Sequence, residues 1–234
     1  MPRKIAANVF EIRLQRVRAH LIAEESLTLI DAGLPGSSVA IDRAIAAIGR
    51  SPSELRRVVC THGHFDHAGG AAELAARPGV DFLIHGADLA NLPTTLRDVA
   101  RRPGRRLFVA LTPPPDRATA LGDGDVLEAL GGLHVVHVPG HTPGSICLYA
   151  AAARVLFVGD ALQARLGRIG FASRLYSDDW HEARASVKRL ASLDVETIVF
   201  SHYPPYRDGA NDLLRRLATE ARRAEERGAQ EGLR

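Results

Sequence analysis

The pattern of hydrophobic and polar positions divides the first third of the chain into three strands, a helix and a fourth strand. VFEIRL, VRAHLIA and LTLID, between positions 9 and 31, are short runs rich in large apolar residues, which favour extended structure. In SSVAIDRAIAAIG, between positions 37 and 49, the apolar residues recur at helical spacing, with serine before them and glycine after them. RRVVC at 56–60 ends in an apolar run that is typical of a buried strand.

Strands and helices continue to alternate through the rest of the chain. Further strands are predicted for VDFLIH, SICLYA, RVLFVG and ETIVF, and DVLEAL and LHVVHV form a predicted hairpin that turns at Gly131 and Gly132. Helical patterns lie at 68–77, at 178–193 and at 210–230, the last of them charged along its length.

Residues 88–118 differ from their surroundings because they are rich in arginine and proline. We interpret this segment as an inserted loop or a short helical lid, since surface insertions are tolerated and often carry specificity. Its arginines suggest that it selects an anionic substrate or closes over a pocket; the denser group comprises Arg97, Arg101, Arg102, Arg105 and Arg106.

Two stretches of the chain share one order of elements, which indicates two similar halves. LTLIDAGL and RVLFVGDAL both end at an aspartate, Asp31 or Asp160. Each is followed by a helix and then by a strand, RRVVCTHGH or ETIVFSHYP, that ends at a hydroxyl residue and a histidine. Two sheets, each covered on its outer side by helices, explain this pattern. The sequence therefore predicts an α/β fold, a four-layer αββα sandwich of two mixed sheets, with residues 1–234 as a single domain.

Composition and charge exclude several classes of protein. Hydrophobic residues make up 46% of the 234 residues and charged residues 24%, as in ordinary globular domains. A net charge of +3 without a recognisable binding module argues against nucleic acid as a partner. The apolar runs are too short to cross a bilayer and the basic N-terminus is not followed by an apolar segment, so we expect a cytoplasmic protein without membrane contact. Cys60 and Cys147 lack CxxC spacing and are expected to be buried free thiols.

The segment THGHFDHAGG at 61–70 concentrates three histidines and an aspartate in six residues. Residues two apart in an extended turn point to the same side, so His62 and His64 can reach one point. Asp66 and His67 open the next helix and can reach a second point nearby. Imidazole and carboxylate donors without a nearby cysteine suit Zn²⁺, Mn²⁺ or Fe²⁺. The segment therefore predicts a metal site rather than a polar loop.

Three residues further along the chain are candidates for additional ligands. His141 in VPGHTPGS, Asp160 in FVGDAL and His202 in VFSHYPP each follow an apolar run and stand beside glycine or proline. This setting is typical of functional residues in tight turns on a rigid scaffold. The remaining histidines are interpreted as structural or peripheral: His20, His85, His134, His137 and His181. Aromatic candidates for lining a substrate site, with ordinary packing as the alternative, are Tyr176, Trp180 and Tyr203.

In their order and spacing, the seven candidate ligands resemble those of the metallo-β-lactamase-fold hydrolase superfamily, and in particular its glyoxalase II-like and lactonase-like branch. The resemblance implies the αββα fold and a first metal held by His62, His64 and His141. It implies a second metal held by Asp66, His67 and His202, with Asp160 bridging the two. Asp31 matches the early aspartate of the family, which supports ligands rather than binding metal, and Gly33 would be needed for its turn.

The resemblance further implies a dinuclear metal-dependent hydrolase that attacks a carboxylic ester, thioester or lactone with a metal-bridging hydroxide. Its cofactors would be two divalent ions, with zinc favoured and iron or manganese as alternatives. Such ions lower the pKa of bound water to about 7. Asp66 would orient the hydroxide or take up its proton. A small molecule is then the expected partner, a homodimer remains open, and Ser145 and Cys60 are not expected to act as nucleophiles.

Other members of the superfamily remain as alternatives. Persulfide dioxygenases resemble the same pattern but use a single iron, held by the equivalents of His62, His141 and Asp160. β-Lactamases of this fold lack an aspartate at the place of Asp160, which argues against that activity. Acyl-homoserine lactonases place a tyrosine soon after that aspartate, and GDALQARLG has none unless Tyr176 substitutes. Glyoxalase II itself carries a sizeable C-terminal helical domain, and only 32 residues follow His202, which argues against that assignment. A non-enzymatic binding module is disfavoured because all seven ligand positions are filled.

Overall fold

The computed structural model describes residues 1–90, 92, 115, 117–165 and 167–231, whose strands form two large sheets and a small hairpin. The first sheet has the strand order β1-β2-β3-β4-β5-β6-β7. Its strands are β1 (Arg3–Ala6), β2 (Val9–Arg13), β3 (Arg18–Ala23), β4 (Leu27–Ile30), β5 (Leu55–Cys60), β6 (Asp81–His85) and β7 (Thr119–Leu121). Neighbours from β1 to β4 are antiparallel and neighbours from β4 to β7 are parallel, so the sheet is mixed, as predicted.

The second sheet has the order β14-β11-β10-β9-β8, and it is mixed as well. Its strands are β8 (Val126–Leu127), β9 (Leu133–His137), β10 (Ile146–Ala150), β11 (Val155–Phe157) and β14 (Thr197–Val199). Leu127 pairs with Leu133, so the predicted hairpin at Gly131 and Gly132 is confirmed, although its first strand has two residues. A separate hairpin, which the sequence pattern did not predict, consists of β12 (Leu162–Arg165) and β13 (Arg168–Phe171).

Helices cover the outer faces of both sheets. They are α1 (Ser38–Ala47), α2 (Phe65–Ala68), α3 (Ala71–Ala75), α4 (Gly86–Leu89), α5 (Trp180–Ser186) and α6 (Ala210–Glu231). The predicted helix at 178–193 changes to a 3₁₀ helix, Val187–Ser192, after α5. The Ser186 hydroxyl donates to the carbonyls of Pro139 and Ala183, a side-chain bond that distorts a helix at its end. Within the described ranges, no helix combines the length and apolar character that crossing a membrane requires.

Three hydrophobic clusters show why the molecule has four layers. Adjacent residues of a strand point to opposite faces of its sheet. Leu29 therefore packs against α1 and α3, whereas its neighbour Ile30 packs against the second sheet. In that sheet Phe157 faces the cluster of Ile30, and Leu156 packs against the 3₁₀ helix and α6. The predicted αββα sandwich is confirmed.

The similarity between the two halves of the chain is also present in the sheets. β4 pairs with β5 in parallel, and β11 pairs with β14 in parallel. Because parallel neighbours end at the same edge, Asp31 lies beside the first residues after β5, and Asp160 beside those after β14. The two pairs thus deliver four chain segments to one edge of the sandwich.

Two glycines interrupt the helix that was predicted after the histidine-rich segment. Gly69 and Gly70 separate α2 from α3. A Cβ on Gly70 would lie 2.3 Å from the carbonyl oxygen of Ala32, so only glycine permits this close approach to the end of β4. Asp66 and His67 therefore lie within a single helical turn rather than at the start of a longer helix.

Most of the predicted insertion at 88–118 lies outside the described residues. This includes its arginines at 97, 101, 102, 105 and 106, so the proposal that they select an anionic substrate stays a prediction. The first residue of the segment, Asp88, belongs to α4 and is buried, 3% exposed.

Both cysteines are buried in the core as free thiols, as predicted. Cys60 ends β5 and Cys147 lies in β10. Burial raises the pKa of each thiol well above its ordinary value. A neutral thiol is a poor nucleophile, so neither cysteine is suited to covalent catalysis.

His20, a buried histidine of β3, should make the fold sensitive to acid. Burial lowers the pKa of His20 to about 4, despite the nearby Asp31 and Glu11. The unfolded chain binds this proton near pH 6.5, so the unfolded state is favoured as the pH falls from 6.5 towards 4. Nε2 of His20 has no hydrogen-bond partner among the described residues, and its ring packs against Phe157.

His20→Leu is expected to reduce the loss of stability in acid, because leucine fills a similar volume without binding a proton. Between pH 8 and pH 5 the wild type should lose about 2 kcal/mol more than the variant. Urea unfolding of both metal-free proteins at the two pH values measures this difference. His134→Leu, at an exposed histidine of β9, should behave like the wild type. Equal losses in the wild type and His20→Leu would contradict the expectation.

Candidate metal centre

All seven predicted ligand side chains lie together at the edge where the parallel strands end. The four ligands of the histidine-rich segment follow β5, and His141 lies between β9 and β10. Asp160 follows β11, and His202 follows β14. The donor atoms form three groups, each within 4.8 Å: His62, His64 and His141; His62, His67 and Asp160; and Asp66, His67 and His202. The first and third groups coincide with the two ligand sets that the family resemblance implied.

Asp160 lies between the first and third groups, with one carboxylate oxygen towards each. Its Oδ2 is 3.6 Å from Nε2 of His141. Its Oδ1 is 3.3 Å from Nε2 of His202 and 3.5 Å from Nε2 of His67. This is the position required of a carboxylate that serves both groups.

Asp31 fixes the orientation of two of the histidine rings. The Thr61 hydroxyl lies 3.0 Å from Oδ1 of Asp31 and 3.1 Å from Nδ1 of His62. A carboxylate only accepts, so the hydroxyl donates to Asp31 and accepts from Nδ1–H of His62. Nδ1–H of His67 donates to Asp31 directly at 2.9 Å. In both rings Nε2 is left facing the centre of the site.

Two further rings are held in the same way by other partners. The Ser177 hydroxyl donates to the carbonyl of Ser173 at 2.7 Å, so it accepts from Nδ1–H of His141 at 3.3 Å. Nδ1–H of His202 donates to the carbonyl of Arg16 at 2.9 Å. Four histidines thus have Nδ1 occupied by protein partners and direct Nε2 into one space, an arrangement characteristic of metal ligands.

The charges at the site are strongly coupled. Burial opposes a proton on His67, but Asp31, Asp160 and Asp66 outweigh it and raise the pKa of His67 to about 10. Burial likewise opposes ionisation of Asp160, yet the surrounding histidines hold the pKa of this carboxyl well below its usual range. Burial and the neighbouring imidazoles lower the pKa of His62 well below its ordinary value. The site without metal therefore contains anionic carboxylates, a neutral His62 and a proton on His67 that a metal would displace.

Several observations show that these residues fit divalent cations. Nε2 of His141 is buried and has no hydrogen-bond partner in the described part of the chain. Nε2 of His62 lies 3.1 Å from Nδ1 of His64, and Nε2 of His67 lies 3.3 Å from Nε2 of His202. Ring nitrogens that face one another in this way suit a shared cation, and a donor set of imidazoles and carboxylates suits Zn²⁺, Mn²⁺ or Fe²⁺.

Asp31 itself supports the ligands and does not join their groups. It is completely buried and accepts hydrogen bonds from Thr61 N, the Thr61 hydroxyl, His67 Nδ1 and the Ser201 hydroxyl. Its backbone is left-handed, with φ of 60°, so the chain turns sharply after β4. Gly33 completes this turn with φ of 71°, and a Cβ there would lie 2.5 Å from Cδ1 of Leu14. These findings agree with the supporting role that the resemblance implied.

Asp88 is a residue of the site that the sequence did not reveal. Its carboxylate accepts hydrogen bonds from Gly63 N, the Thr142 hydroxyl and Gly144 N, each at 2.7 Å. The only signal in the sequence was its position shortly after β6, comparable to the positions of the other site residues after their strands. The Ser145 hydroxyl, by contrast, bonds to Thr142 and does not join the donor groups.

The aromatic candidates for a substrate site lie in different surroundings. Trp180 donates to the carbonyl of Ala172, and the guanidinium groups of Arg174 and Arg184 lie over its ring. Tyr176 is exposed on the segment that carries Ser177. Tyr203 lies next to His202 and lines a cavity of about 630 Å³. Other residues that line this cavity are Ile169, Phe200, Tyr206, Arg168 and Arg216. The cavity has the size of a small-molecule site.

The remaining histidines do not belong to the three donor groups. His85 and His137 stack on each other with centroids 4.0 Å apart and an angle of 13° between the rings. Nε2 of His137 also lies 2.9 Å from the carbonyl of Pro143. His134 is exposed on β9, and His181 contacts Trp180 edge-on. These positions are consistent with structural or peripheral roles.

Comparison with known families places this geometry in context. The sequence model of the family described as the metallo-beta-lactamase superfamily matches residues 13–202, which include all seven candidate ligands. The match covers most of the chain. The candidate ligands and most strands of the two sheets therefore lie within the part of the chain that this family model matches.

Individual relatives extend over nearly the whole chain. A probable metallo-hydrolase of Bacillus subtilis, YflN, is 28% identical over 240 residues, covering 91% of this chain and 88% of the relative. A hydroxyacylglutathione hydrolase of Acidiphilium cryptum is 30% identical over 229 residues, covering 91% and 81%. The crystal structure of a metallo-beta-lactamase family protein from Thermus thermophilus has a TM-score of 0.72 at 21% identity, covering 92% of this chain and 80% of its own, which shows the fold alone.

Proposed function

The chain belongs to the metallo-beta-lactamase superfamily, and on this premise we propose that it is a dinuclear metal-dependent hydrolase of a carboxylic ester, thioester or lactone. The two relatives that cover nine-tenths of the chain are a probable metallo-hydrolase and a hydroxyacylglutathione hydrolase. Hydroxyacylglutathione is a thioester, so a thioester is the favoured bond among the three.

The orientation of the histidine rings is the observation that carries this proposal. Protein partners occupy Nδ1 of His62, His67, His141 and His202, so four Nε2 atoms point into one space beside Asp160. A cluster of neutral and charged imidazoles is costly to bury unless a ligand satisfies the inward nitrogens. If these histidines served only for packing, the convergence of their Nε2 atoms would not stabilise the fold.

The two donor groups divide the proposed metal ligands. One divalent ion would be held by His62, His64 and His141, the other by Asp66, His67 and His202, and Asp160 would contact both. When bound, two divalent ions would polarise a substrate carbonyl and lower the pKa of bound water to about 7. The protein then needs no serine or cysteine nucleophile, in agreement with the bonded Ser145 hydroxyl and the buried cysteines.

Asp66 is the residue we propose to handle the proton of the attacking water. Its side chain is 19% exposed, and its Oδ2 lies 3.5 Å from Nε2 of His202 and 3.8 Å from Nε2 of His67. The carboxylate therefore reaches both the donor group and the open side of the site. It can orient a water molecule and accept its proton, whereas the fully buried Asp31 cannot reach solvent.

An activity screen paired with metal analysis tests the proposal. The purified protein, loaded with Zn²⁺, Mn²⁺ or Fe²⁺, is assayed with p-nitrophenyl esters, acyl-glutathione thioesters, lactones and a glutathione persulfide. We expect two metal ions per chain and hydrolysis of at least one carbonyl substrate, with thioesters turned over best. Asp66→Asn removes an anionic ligand as well as the proton acceptor, so it should weaken binding of the ion held with His67 and His202. At saturating metal it should still lower kcat by about 10²- to 10⁴-fold, the usual contribution of general base catalysis.

The same screen contains the results that would overturn the proposal. One iron per chain together with oxygen uptake on the persulfide would indicate the dioxygenase alternative. Protein that binds no metal and hydrolyses none of the substrates would indicate a binding module on this fold. Asp178→Asn, at an exposed residue of the segment that carries Ser177, serves as the matched control and should leave turnover unchanged.

A further inference from the structure

Asp88 joins two turns that are far apart in the sequence. Gly63 lies between two candidate ligands, His62 and His64, and donates its N–H to Oδ2 of Asp88. Gly144 N donates to Oδ1. Residues 141–144 carry the third candidate ligand of the same group, His141, so one carboxylate contacts both chain segments that supply this group.

The contacts of Asp88 are close and leave little freedom. All three hydrogen bonds are 2.7 Å long, and the side chain is almost completely buried. A Cβ on Gly144 would lie 2.5 Å from Asp88 N, so this turn is packed directly against α4. A second bond between the two segments, from Ile146 N to Thr61 O, joins the residue before the first turn to the strand after the second turn. The turns themselves therefore depend on Asp88 for their spacing.

The other buried carboxylate, Asp31, has different contacts. It contacts His67 directly and the Ser201 hydroxyl, next to His202, and it reaches His62 only through the Thr61 hydroxyl. Asp88 instead contacts Gly63, Thr142 and Gly144, in the two segments that carry the first donor group. The two carboxylates approach the site from different strands, β4 and β6.

We propose that Asp88 is a positioning residue that sets the metal affinity of the His62, His64 and His141 group alone, whereas Asp31 contacts members of both groups. This inference rests on the proposed dinuclear function. Residues that orient metal ligands typically change metal affinity by about 10- to 100-fold when they are replaced. The loss of one Asp88 contact should therefore weaken the binding of one of the two metal ions and leave the binding of the other unchanged.

Metal titration in two backgrounds tests this assignment. His202→Ala should leave binding only at the group that contains His64. His64→Ala should leave binding only at the group that contains Asp66 and His202. Asp88→Asn retains the shape of the side chain but replaces one acceptor oxygen with an amide donor that faces N–H groups. In the His202→Ala background it should weaken binding of Zn²⁺ by 10- to 100-fold. In the His64→Ala background the affinity should not change.

Further variants separate positioning from general damage to the fold. Thr142→Val removes a single hydrogen bond to Asp88 and should give a smaller loss, restricted to the same background, even if Asp88→Asn folds poorly. Asp81→Asn, at the exposed first residue of β6, should have no effect on either equivalent. Absorption spectra of Co²⁺ at the first site should change in Asp88→Asn, because they depend on coordination geometry.

The outcomes distinguish this proposal from the proposed function. If the wild type binds no metal, the dinuclear function fails. If the wild type binds two ions and Asp88→Asn weakens both equally, or neither, the dinuclear function stands and the role of Asp88 is wrong. Loss confined to the His202→Ala background, in both Asp88→Asn and Thr142→Val, supports it.

Discussion

Asp160→Ala is expected to abolish metal binding and hydrolysis together while the fold remains intact. Asp160 is the side chain with one oxygen towards His141 and the other towards His67 and His202. Its removal leaves both donor groups with one anionic ligand fewer and with no carboxylate between them. We expect a loss of at least about 10³-fold in kcat/KM, equivalent to about 4 kcal/mol of transition-state stabilisation.

Elemental analysis and circular dichroism of Asp160→Ala check this expectation alongside the kinetics. The side chain is only 22% exposed but faces the site rather than a core, so its removal should not unfold the protein. Asp42→Ala, which removes a surface ion pair with Arg77, is the matched control and should retain metal and turnover. Two metals per chain in Asp160→Ala would contradict the bridging position.

Asp31→Ala should be the most destabilising single substitution at the site. It removes the acceptor of four buried hydrogen bonds and leaves the donors of Thr61, His67 and Ser201 without partners. Breaking a buried charged pair by removal of one partner costs about 3–5 kcal/mol. Alanine is also disfavoured by the left-handed backbone at this position.

Urea unfolding of the metal-free proteins isolates this effect from loss of metal. Asp31→Asn should lose less than Asp31→Ala, because asparagine tolerates left-handed backbone and keeps one acceptor oxygen. Its amide NH₂ group would still face the N–H and O–H donors of Thr61, His67 and Ser201, which it cannot accept from. A loss below 1 kcal/mol in Asp31→Ala would show that the buried network contributes little to the fold.

The metal-free site also responds to pH in a direction that follows from His67. Because its pKa in the folded protein is about 10, compared with 6.5 in an unfolded chain, its proton stabilises the folded state fully below pH 6.5. This contribution is lost as the pH rises through 10. Metal loading replaces the proton, so it should release protons and weaken as the pH falls.

The candidate ligands could be predicted from the sequence because each follows an apolar strand at a turn. His141, Asp160 and His202 stand beside glycine or proline after such runs, and the fold brings these turns to one edge. Asp88 could not be predicted in this way. Two of its three partners are backbone N–H groups, of Gly63 and Gly144, and a sequence does not show which backbone donors a fold brings together.

The fold was predictable where strands are buried and less so where they are half exposed. Leu29 and Ile30 lie in a run that is buried on both faces, and such runs stand out from their surroundings. The hairpin of β12 and β13 contains Arg165, Gly167 and Arg168, and most of its residues are partly exposed. Apolar and polar residues do not alternate along this hairpin. The rest of the fold, rather than its own sequence pattern, brings the two strands together.

The partners of the four Nδ1 atoms have a consequence for how the protein matures. A zinc finger folds only when its ion arrives, because its ligands have no other reason to converge. Here a carbonyl, two hydroxyls and a carboxylate already hold the rings of His202, His62, His141 and His67. We therefore expect the newly made chain to fold first and to acquire the proposed ions later, so that the supply of metal around the protein, rather than the act of folding, selects which ions it carries.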